Sequence, residues 1–374
     1  MPAASSSPHL WLRAETKKNE HRTALTPKVV KSLLDAGFTV TIEKSQESIF
    51  DKSEYSLVPG VQLVDAGSWR TAPKDAYIIG LKELPENDDT PLPHQHIMFA
   101  HCYKHQGGWK DVLSRFDRGQ GTLLDLEFLQ DDRGRRVAAF GYHAGFAGSA
   151  MGIDLWAHQQ LSPNTDYPPT KPYPNDKELI QYIKTRLDAA TALNNNKQPT
   201  VMVMGALGRC GGGAVDFARA VGIHDENIIK WDMAETAKGG PFPEILESNI
   251  FVNCIYLSAK IPAFLTEDML DDAKRVLSVV VDVSCDITNP NNPLPIYNDA
   301  TTFDHPVLHI KTGTPVLDVI AIDHLPTLLP REASEAFSHD LLPSLLALKE
   351  RHSARVWTDA EDLFNKKVAE MKSS

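Results

Sequence analysis

The amino-acid sequence predicts an α/β protein made of two domains, each with a parallel sheet. Short β-rich runs alternate with helical patterns twice along the chain. A stretch dense in proline and turn-forming residues, "LSPNTDYPPTKPYPND" at residues 161–176, separates the two series. The length of 374 residues is enough for two domains of ordinary size.

The first series begins with the strand "HLWLRA" and a helix whose ends are well marked. Thr26 is suited to cap the helix N-terminus, Pro27 to its first turn and Gly37 to the position just after its end. The runs "FTVTIEK", "DAYIIGLKE", "HIMFAHCY" and "TLLDLEFL" read as further strands, and "GWKDVLSRF" reads as a helix. Together they form a complete α/β unit.

The second series follows a helical run of small residues, "AGFAGSAMGIDLWAHQQ", and an amphipathic helix, "KELIQYIKTRLDAATAL". Its buried strands are "VMVM", "NIIKWD", "NIFVNCIYL" and "VLSVVVDVS". Two helices close the chain, and Thr358 with Glu361 predicts a capping box at the start of the last one. We expect this tail to return to the first domain, so the predicted domains are residues 1–160 with 330–374, and residues 161–329.

Composition excludes several classes of function. The net charge of −11 argues against nucleic acid or an anionic membrane as the main partner. No apolar run reaches the roughly 18 residues of a membrane span. The N-terminus lacks a secretory pattern and the ending "MKSS" does not match the peroxisomal signal, so we expect a cytoplasmic protein. Four cysteines are too few for a disulfide framework, and we expect a monomer.

A glycine-rich turn follows the strand "VMVM", with Gly205, Gly208 and Gly211 in a G-x-x-G-x-x-G pattern. A helix continues from it, and a helix N-terminus after a close backbone turn binds phosphate groups. Asp232 ends the next strand, where a carboxylate would bind a ribose diol and repel the 2′-phosphate of NADP. The pattern therefore predicts an NAD site, and the alternative is a tight turn without a ligand.

Two cysteines lie close to this turn. Cys210 follows the first strand of the second series and Cys254 lies near the end of "NIFVNCIYL". If those strands are neighbours, the two sulfur atoms could meet. In a reducing cytosol two buried thiols are favoured over a disulfide, which stays the alternative.

Three polar residues follow predicted strands of the first domain: Lys82, His101 and Glu127. Carboxyl ends of parallel strands form one edge of a sheet, where α/β sites lie. We expect these side chains to converge there, with partial burial making the lysine a usable base and the glutamate orienting it. The alternatives are a surface lysine and a core histidine.

One stretch of the first domain is rich in histidine. "HQHIMFAHCYKH" holds His94, His96, His101, Cys102 and His105, but its spacing matches no common zinc pattern, so we expect no metal.

Basic residues cluster in loops although the protein as a whole is acidic: Lys17, Lys18, Arg22, Arg135 and Arg136. Because arginine binds carboxylates bidentately, these loops favour a carboxylate-rich substrate over plain solvated charge.

Distinctive blocks along nearly the whole chain resemble the fungal, NAD-dependent, L-lysine-forming saccharopine dehydrogenases. The blocks are "LRAETK", "AGSW", "IIGLKE", "FAHCYK", "LEFL", "GRRVAAFG", "GALGRCG", "KWD", "GGPF", "NCIYLS", "VVDVS" and "IDHLPTLLPREAS". The resemblance implies two Rossmann-like domains with the active site in the cleft between them, similar in plan to alanine dehydrogenase and transhydrogenase. It also implies oxidation of saccharopine by NAD and hydrolysis of the resulting imine to lysine and 2-oxoglutarate.

The resemblance also implies roles for individual residues. Lys82 would be the base for imine hydrolysis, His101 would handle the proton of the secondary amine, and Glu127 would tune Lys82. Residues expected on the substrate side are Lys17, Arg22, Gln106, Arg136 and Phe140, together with Ser284, Cys285 and Asp286 after the strand "VLSVVVDV". Residues expected at NAD are Arg135, Gly205, Gly208, Arg209, Asp232, Thr236, Tyr256, Val283, Asp323 and His324.

Two other functions stay open at this point. An alanine-dehydrogenase-like enzyme acting on a small 2-amino acid would need fewer carboxylate-binding residues. A non-catalytic NAD-binding regulator would keep the glycine turn but would not need the lysine and histidine.

Overall fold

The computed structural model describes residues 7–373, apart from 86, 258, 286, 288–290 and 312–314. The chain forms two compact units. Unit 1 takes the chain up to Ala139 and again from Pro330 onward, and unit 2 spans Phe140–Leu329. None of the helices described is both long and apolar enough to cross a lipid bilayer.

Unit 1 contains a six-stranded sheet in which every strand pairing is parallel. Its strands are β1 (His9–Leu12), β2 (Thr39–Glu43), β3 (Gln62–Val64), β4 (Tyr77–Ile79), β5 (Gln95–Met98) and β6 (Thr122–Asp125). Its helices are α1 (Pro27–Asp35), α2 (Lys52–Ser56), α3 (Trp109–Gly119), α8 (Pro330–Leu346) and α9 (Arg355–Ser373). The strand order β3-β2-β1-β4-β5-β6 is that of a dinucleotide-binding sheet, and it reverses direction between β1 and β4.

Local chemistry sets the ends of α1 as its sequence predicts. The Thr26 side chain accepts a hydrogen bond from the N–H of Val29, and Pro27 occupies the first turn. Gly37 follows the helix with φ of +84°, a conformation that strains other residues. Val30 and Leu33 are fully buried and turn one face of α1 toward the core.

Unit 2 has a second six-stranded sheet in the order β11-β12-β10-β9-β7-β8. Its strands are β7 (Val201–Met204), β8 (Ile228–Trp231), β9 (Ile250–Asn253), β10 (Val279–Asp282), β11 (Leu308–Lys311) and β12 (Leu317–Ile320). Its helices are α4 (Gly141–Leu161), α5 (Asp176–Leu193), α6 (Arg209–Ala220) and α7 (Met233–Thr236). Only β11, at the edge, pairs antiparallel among the strands described. The order reverses between β7 and β9.

Small residues let α4 pack very closely against α6. A Cβ on Gly145 would lie 1.8 Å from the carbonyl oxygen of Cys210, and one on Gly213 would lie 2.0 Å from that of Tyr142. Since no side chain fits either gap, both positions require glycine. This packing makes α4 part of unit 2, so the two units divide at residues 139 and 140 and not at the sequence-based boundary of 160.

The capping box expected at Thr358 and Glu361 is wrong. Helix α9 begins at Arg355, so Thr358 lies inside it, and Glu361 pairs with Arg351 at 3.0 Å. The helix starts earlier because Trp357 is fully buried and its indole N–H donates to the carbonyl of Ser344 at 2.8 Å. The apolar stripe that anchors α9 thus begins before the proposed cap.

Candidate active site

Lys82, His101 and Glu127 all lie at the carboxyl edge of the unit 1 sheet. They follow β4, β5 and β6, which are adjacent and parallel. Lys82 lies at the point where the strand order reverses, the usual ligand position in such sheets. The strand-end prediction therefore brings three acid–base side chains to one edge, although each has its own set of partners.

Lys82 is half-buried, and two glutamates from the loop that follows β1 lie beside its segment of the chain. Glu15 accepts the backbone N–H of Lys82 at 3.0 Å. Glu20 is 3% exposed; burial alone would raise its pKa, but the charge and hydrogen bonds of Arg22 and the charge of Lys82 bring the pKa below the ordinary value. The Lys82 ammonium is therefore close enough to stabilise a buried carboxylate.

His101 and Lys17 are joined by one carboxylate. The ring Nδ1 of His101 lies 2.6 Å from Oε1 of Glu83, and Nζ of Lys17 lies 2.7 Å from its Oε2. Burial raises the pKa of Glu83, but these two partners outweigh it and hold that pKa well below the usual range. His101 has φ of +49°, an uncommon conformation that functional residues adopt when their surroundings enforce it. Glu83 therefore fixes the orientation of the ring through Nδ1.

Glu127 has partners other than the one its sequence position suggested. Its Oε1 lies 2.7 Å from the ammonium of Lys104 and 3.2 Å from the guanidinium of Arg136. Burial raises its pKa, but Lys104 leads the opposing contacts and the net shift is downward. Glu127 is therefore a carboxylate anion between two cations, and its tuning of Lys82 stays a prediction.

Asp125 ends β6 and supports two of these loops. Its carboxylate accepts the N–H of Glu127 at 2.9 Å and the N–H of Ala100, next to His101, at 3.3 Å. The residue is 1% exposed, and burial raises its pKa from 3.8 to about 7 despite those hydrogen bonds and the charge of His101. Asp125 is thus a buried acid that titrates near neutrality inside the candidate site.

The remaining basic residues of unit 1 are mostly paired with carboxylates. Arg22 is 5% exposed and binds Glu20 through Nε at 2.8 Å and Nη2 at 2.6 Å. Arg135 is exposed and pairs with Asp131 at 2.9 Å. The side chain of Gln106 accepts the backbone N–H of Lys104 at 2.9 Å. Their roles toward substrate and cofactor stay predictions.

The histidine-rich stretch forms core contacts. His96 is fully buried between the rings of Trp69 and Phe116, and burial lowers its pKa well below the ordinary value. His94 has its Nε2 3.1 Å from the carbonyl of Ala72. Within the described ranges, no group of three or more His, Cys, Asp or Glu side chains is placed to hold a metal ion.

The glycine turn of unit 2 runs from β7 into α6. Gly205 has φ of +86°, and a Cβ on Gly211 would lie 2.1 Å from the oxygen of Gly205. Gly208 caps the helix with ordinary dihedrals, and a Cβ there would meet only the Gly205 oxygen, at 3.3 Å. Conformation requires glycine at 205 and packing requires it at 211. Gly208 leaves open space at a helix N-terminus, which suits close approach of a phosphate group.

Asp232 lies beside this turn. It follows β8, accepts the N–H of Leu207 in the turn at 2.9 Å and caps α7 in a capping box with Glu235. The Thr236 hydroxyl donates to the carbonyl of Asp232 at 2.9 Å. The carboxylate is thus fixed next to the glycine turn, as a ribose-binding acid must be.

The other residues expected at NAD also follow strands of this sheet. Tyr256 follows β9 and is 58% exposed, Val283 follows β10, and Asp323 and His324 follow β12. These strands are parallel to β7 in the same sheet, so all four residues lie at its carboxyl edge. Arg209 is exposed at the first position of α6.

Residues expected at the substrate follow β10 or begin α4. Ser284 donates to Asp282 at 2.7 Å, and the thiol of Cys285 donates to the carbonyl of Ala321 at 3.0 Å. Phe140 is half-buried at the N-cap of α4. Asp286 lies outside the described residues.

The four cysteines are free thiols. Cys210 and Cys254 are close enough for a side-chain hydrogen bond, which together with burial raises the pKa of Cys254 well above the ordinary value. The expectation that these two sulfurs meet is therefore confirmed, and no disulfide joins them in the described structure.

Sequence reasoning missed the carboxylates of the site. It selected basic residues and strand-end residues, but not Glu15, Glu20, Glu83 or Asp125. The signal was present, because Glu83 follows Lys82 directly in "GLKE" and the loop "RAETKKNEHR" alternates acids with bases. Alternating charges after a buried strand predict paired groups rather than free cations.

With this geometry established, comparison with known proteins defines the class. Residues 11–147 match the alanine dehydrogenase/PNT N-terminal domain family. The chain aligns over 96% of its length with 94% of an L-alanine dehydrogenase structure, at 16% identity and a TM-score of 0.65. At that identity the likeness establishes the fold alone, a two-domain, Rossmann-like fold.

Closer relatives identify the family. The chain is 60% identical to saccharopine dehydrogenase (NAD(+), L-lysine-forming) of Schizosaccharomyces pombe, over 98% of this chain and 100% of that one. It is 61% identical to the enzyme of the same name from Yarrowia lipolytica, over 96% and 97%. The chain belongs to the NAD-dependent, L-lysine-forming saccharopine dehydrogenase family.

Proposed function

We propose that this enzyme catalyses the reversible, NAD-dependent oxidative deamination of saccharopine to L-lysine and 2-oxoglutarate, the last step of lysine formation through α-aminoadipate. Saccharopine, NAD and water give lysine, 2-oxoglutarate, NADH and a proton. The placement of Lys82 and His101 after adjacent strands, each with its own carboxylates, is the observation that carries the proposal. A reaction with two separate proton-transfer tasks needs two such groups.

NAD, when bound, supplies the acceptor for the hydride that leaves the carbon next to the secondary amine. The residues that would hold it lie in unit 2. The start of α6 and Gly208 would bind the pyrophosphate, and Asp232 would bind the adenosine ribose. Room at Gly208 and the fixed carboxylate of Asp232 both fit a dinucleotide without a 2′-phosphate.

His101 takes the proton of the secondary amine before oxidation. Its Nδ1 is held by Glu83 at 2.6 Å, so Nε2 is the atom that accepts and returns protons. Oxidation leaves an imine, which water must attack. Lys82 activates that water and then protonates the departing lysine nitrogen. The neighbouring carboxylate of Glu20 balances the charge that Lys82 gains and loses.

Cations in the same unit would bind the three carboxylates of saccharopine. Lys17 and Arg136 are the accessible candidates, with side chains 46% and 42% exposed. Each is paired with a carboxylate, Glu83 or Glu127, which a substrate carboxylate would compete with or replace. Arg22 is buried against Glu20, and we propose that it contributes mainly by fixing that acid.

Site variants test the proposed roles. Lys82→Met and His101→Gln should each lower kcat for saccharopine oxidation by about 10²-fold or more, the range for loss of an acid–base group. NAD affinity, measured by calorimetry, should stay within about three-fold, because neither residue is in the cofactor set. Lys31→Met is the matched control, since Lys31 forms a surface pair with Asp35 on α1. Wild-type rates in either site variant would refute that residue's role.

We also propose that the enzyme acts as a cytoplasmic monomer. Its partners are then the small molecules of the reaction, without nucleic acid or membrane. Gel filtration with light scattering on the full chain checks the oligomeric state, and a mass of twice the chain mass would contradict it.

A further inference from the structure

We propose that Arg13 and Glu15 form a buried pair whose role is to position Lys82, so that both are positioning residues for the hydrolytic half of the reaction. The inference rests on the proposed function, because it assumes that Lys82 acts on the imine. Neither residue belongs to the predicted substrate or cofactor set; both act through the Lys82 backbone.

The pair binds the Lys82 segment from two sides. Glu15 accepts the N–H of Leu81 through Oε1 at 2.6 Å and the N–H of Lys82 through Oε2 at 3.0 Å. The Arg13 guanidinium donates to the carbonyl oxygen of Lys82 through Nη2. Both backbone polar groups of Lys82 are therefore held by side chains from one short segment.

These contacts begin where the backbone hydrogen bonds between β4 and β5 end. The N–H of Gly80 still donates to Ile97 at 3.0 Å, and the N–H of Phe99 donates to Leu81 at 2.9 Å. Beyond them the ladder between β4 and β5 ends. Beyond that point the side chains of Arg13 and Glu15 make the hydrogen bonds to the backbone that a neighbouring strand would otherwise make. They therefore fix the position of the Lys82 backbone relative to the sheet.

The surrounding residues leave room for this arrangement. The Arg13 and Glu15 side chains are 1% and 7% exposed, and their charged groups lie 3.4 Å apart. A Cβ on Gly80 would come within 2.5 Å of Nε of Arg13, so the glycine makes space for the guanidinium. The pair is built into the protein interior and is not a surface contact.

Stability alone does not explain a buried pair here. The free energy needed to remove two charges from water offsets much of the attraction between them. Replacing such a buried pair with apolar side chains often leaves the stability of the protein unchanged. A pair that also binds three backbone groups of a catalytic segment gives a geometric benefit instead. Misplacing a reactive group by about 1 Å can cost on the order of 10²-fold in rate.

The test is a comparison of the first turnover with the steady state. Glu15→Gln keeps the side-chain shape but directs an amide NH₂ toward one of the two backbone N–H donors. NADH formation in the first turnover, followed by stopped flow with saccharopine and NAD, should stay within about two-fold of wild type. The steady-state rate should fall by at least about ten-fold, because imine hydrolysis then limits turnover.

Glu361→Gln is the matched control. It is the same substitution in the same unit, and it also removes a carboxylate from a buried arginine, since Arg351 is 4% exposed. It should change both rates by less than about two-fold. Equal losses of both rates in Glu15→Gln, similar losses in the control, or an unchanged steady-state rate in Glu15→Gln would each overturn the inference.

One further variant keeps the outcome interpretable. If Glu15→Gln does not fold, Glu15→Asp retains the charge opposite Arg13 and only shortens its reach. It should show the same selective loss, and a wild-type steady-state rate would overturn the inference. Failure of the proposed function is distinct, because wild-type protein would then not convert saccharopine, or Lys82→Met would be fully active.

Discussion

Replacing Asp125 with asparagine should change how stability depends on pH. Asp125 is 1% exposed, and burial is the main reason that its pKa rises from 3.8 to about 7. Between those values the folded protein keeps a proton that the unfolded chain has released. Stability from this group is therefore complete below about pH 4 and declines as the pH rises to about 7.

The size of the effect follows from that difference in pKa. At about 1.4 kcal/mol for each pH unit, the decline amounts to about 4 kcal/mol in the free energy of unfolding. An asparagine at this position would have nearly the same shape as the aspartate and no proton to lose. The stability of wild type minus that of Asp125→Asn should therefore fall by up to about 4 kcal/mol between about pH 4 and pH 8.

Urea unfolding followed by circular dichroism at several pH values measures this difference. Leu124→Ala is the control, because Leu124 is fully buried on the same strand and carries no charge. Its cost, about 2–5 kcal/mol, should not depend on pH. A difference between wild type and Asp125→Asn that stays constant within about 0.5 kcal/mol across the range would show that folding does not raise the pKa of Asp125, and would contradict this prediction.

Three further outcomes are expected. Gly211→Ala should weaken NAD binding at least about ten-fold in calorimetry, since its Cβ would lie 2.1 Å from a backbone oxygen of the turn. Gly212→Ala is the control, because a Cβ on Gly212 would have no atom within 4 Å. It should leave NAD affinity within about two-fold and stabilise the helix by up to about 1 kcal/mol. Glu83→Gln should lower stability at neutral pH and reduce its loss in acid, because the lowered pKa of Glu83 makes its contribution present above its ordinary value of 4.5 and lost as the pH falls; equal acid profiles would contradict this. Thr26→Ala should cost about 1 kcal/mol in thermal unfolding, and no change would remove its role as a cap.

Much of the fold could be predicted because local rules agree with the tertiary structure. The capped helix after Thr26 and the apolar strands before Lys82 and Gly205 each carry their own signal. Parallel strands then bring their carboxyl ends together, so a strand-end rule located both Lys82 and His101.

Long-range packing could not be read in the same way. Helix α4 looks like the end of the first domain, but contacts as close as that of Gly145 with Cys210 make it part of unit 2. The cap proposed at Thr358 failed because burial of Trp357 decides where that helix starts. In both cases a distant partner outweighs the local pattern.

The ion pairs of the site could not be predicted from the local sequence either. Sequence position suggested that Glu127 orients Lys82, but it did not indicate that Oε1 of Glu127 also pairs with Lys104 and Arg136. Which carboxylate pairs with which cation depends on loop conformations, such as the left-handed backbone of His101, that no local pattern specifies.

The proposed reaction joins and separates lysine and 2-oxoglutarate using NAD. The most direct measurement is NADH oxidation by the purified full chain with 2-oxoglutarate and L-lysine, compared with pyruvate and ammonia and with a blank. We predict rapid oxidation only with the first pair, with saccharopine as the product by mass spectrometry. Equal or faster oxidation with pyruvate and ammonia, or none with either pair, would contradict the proposed reaction.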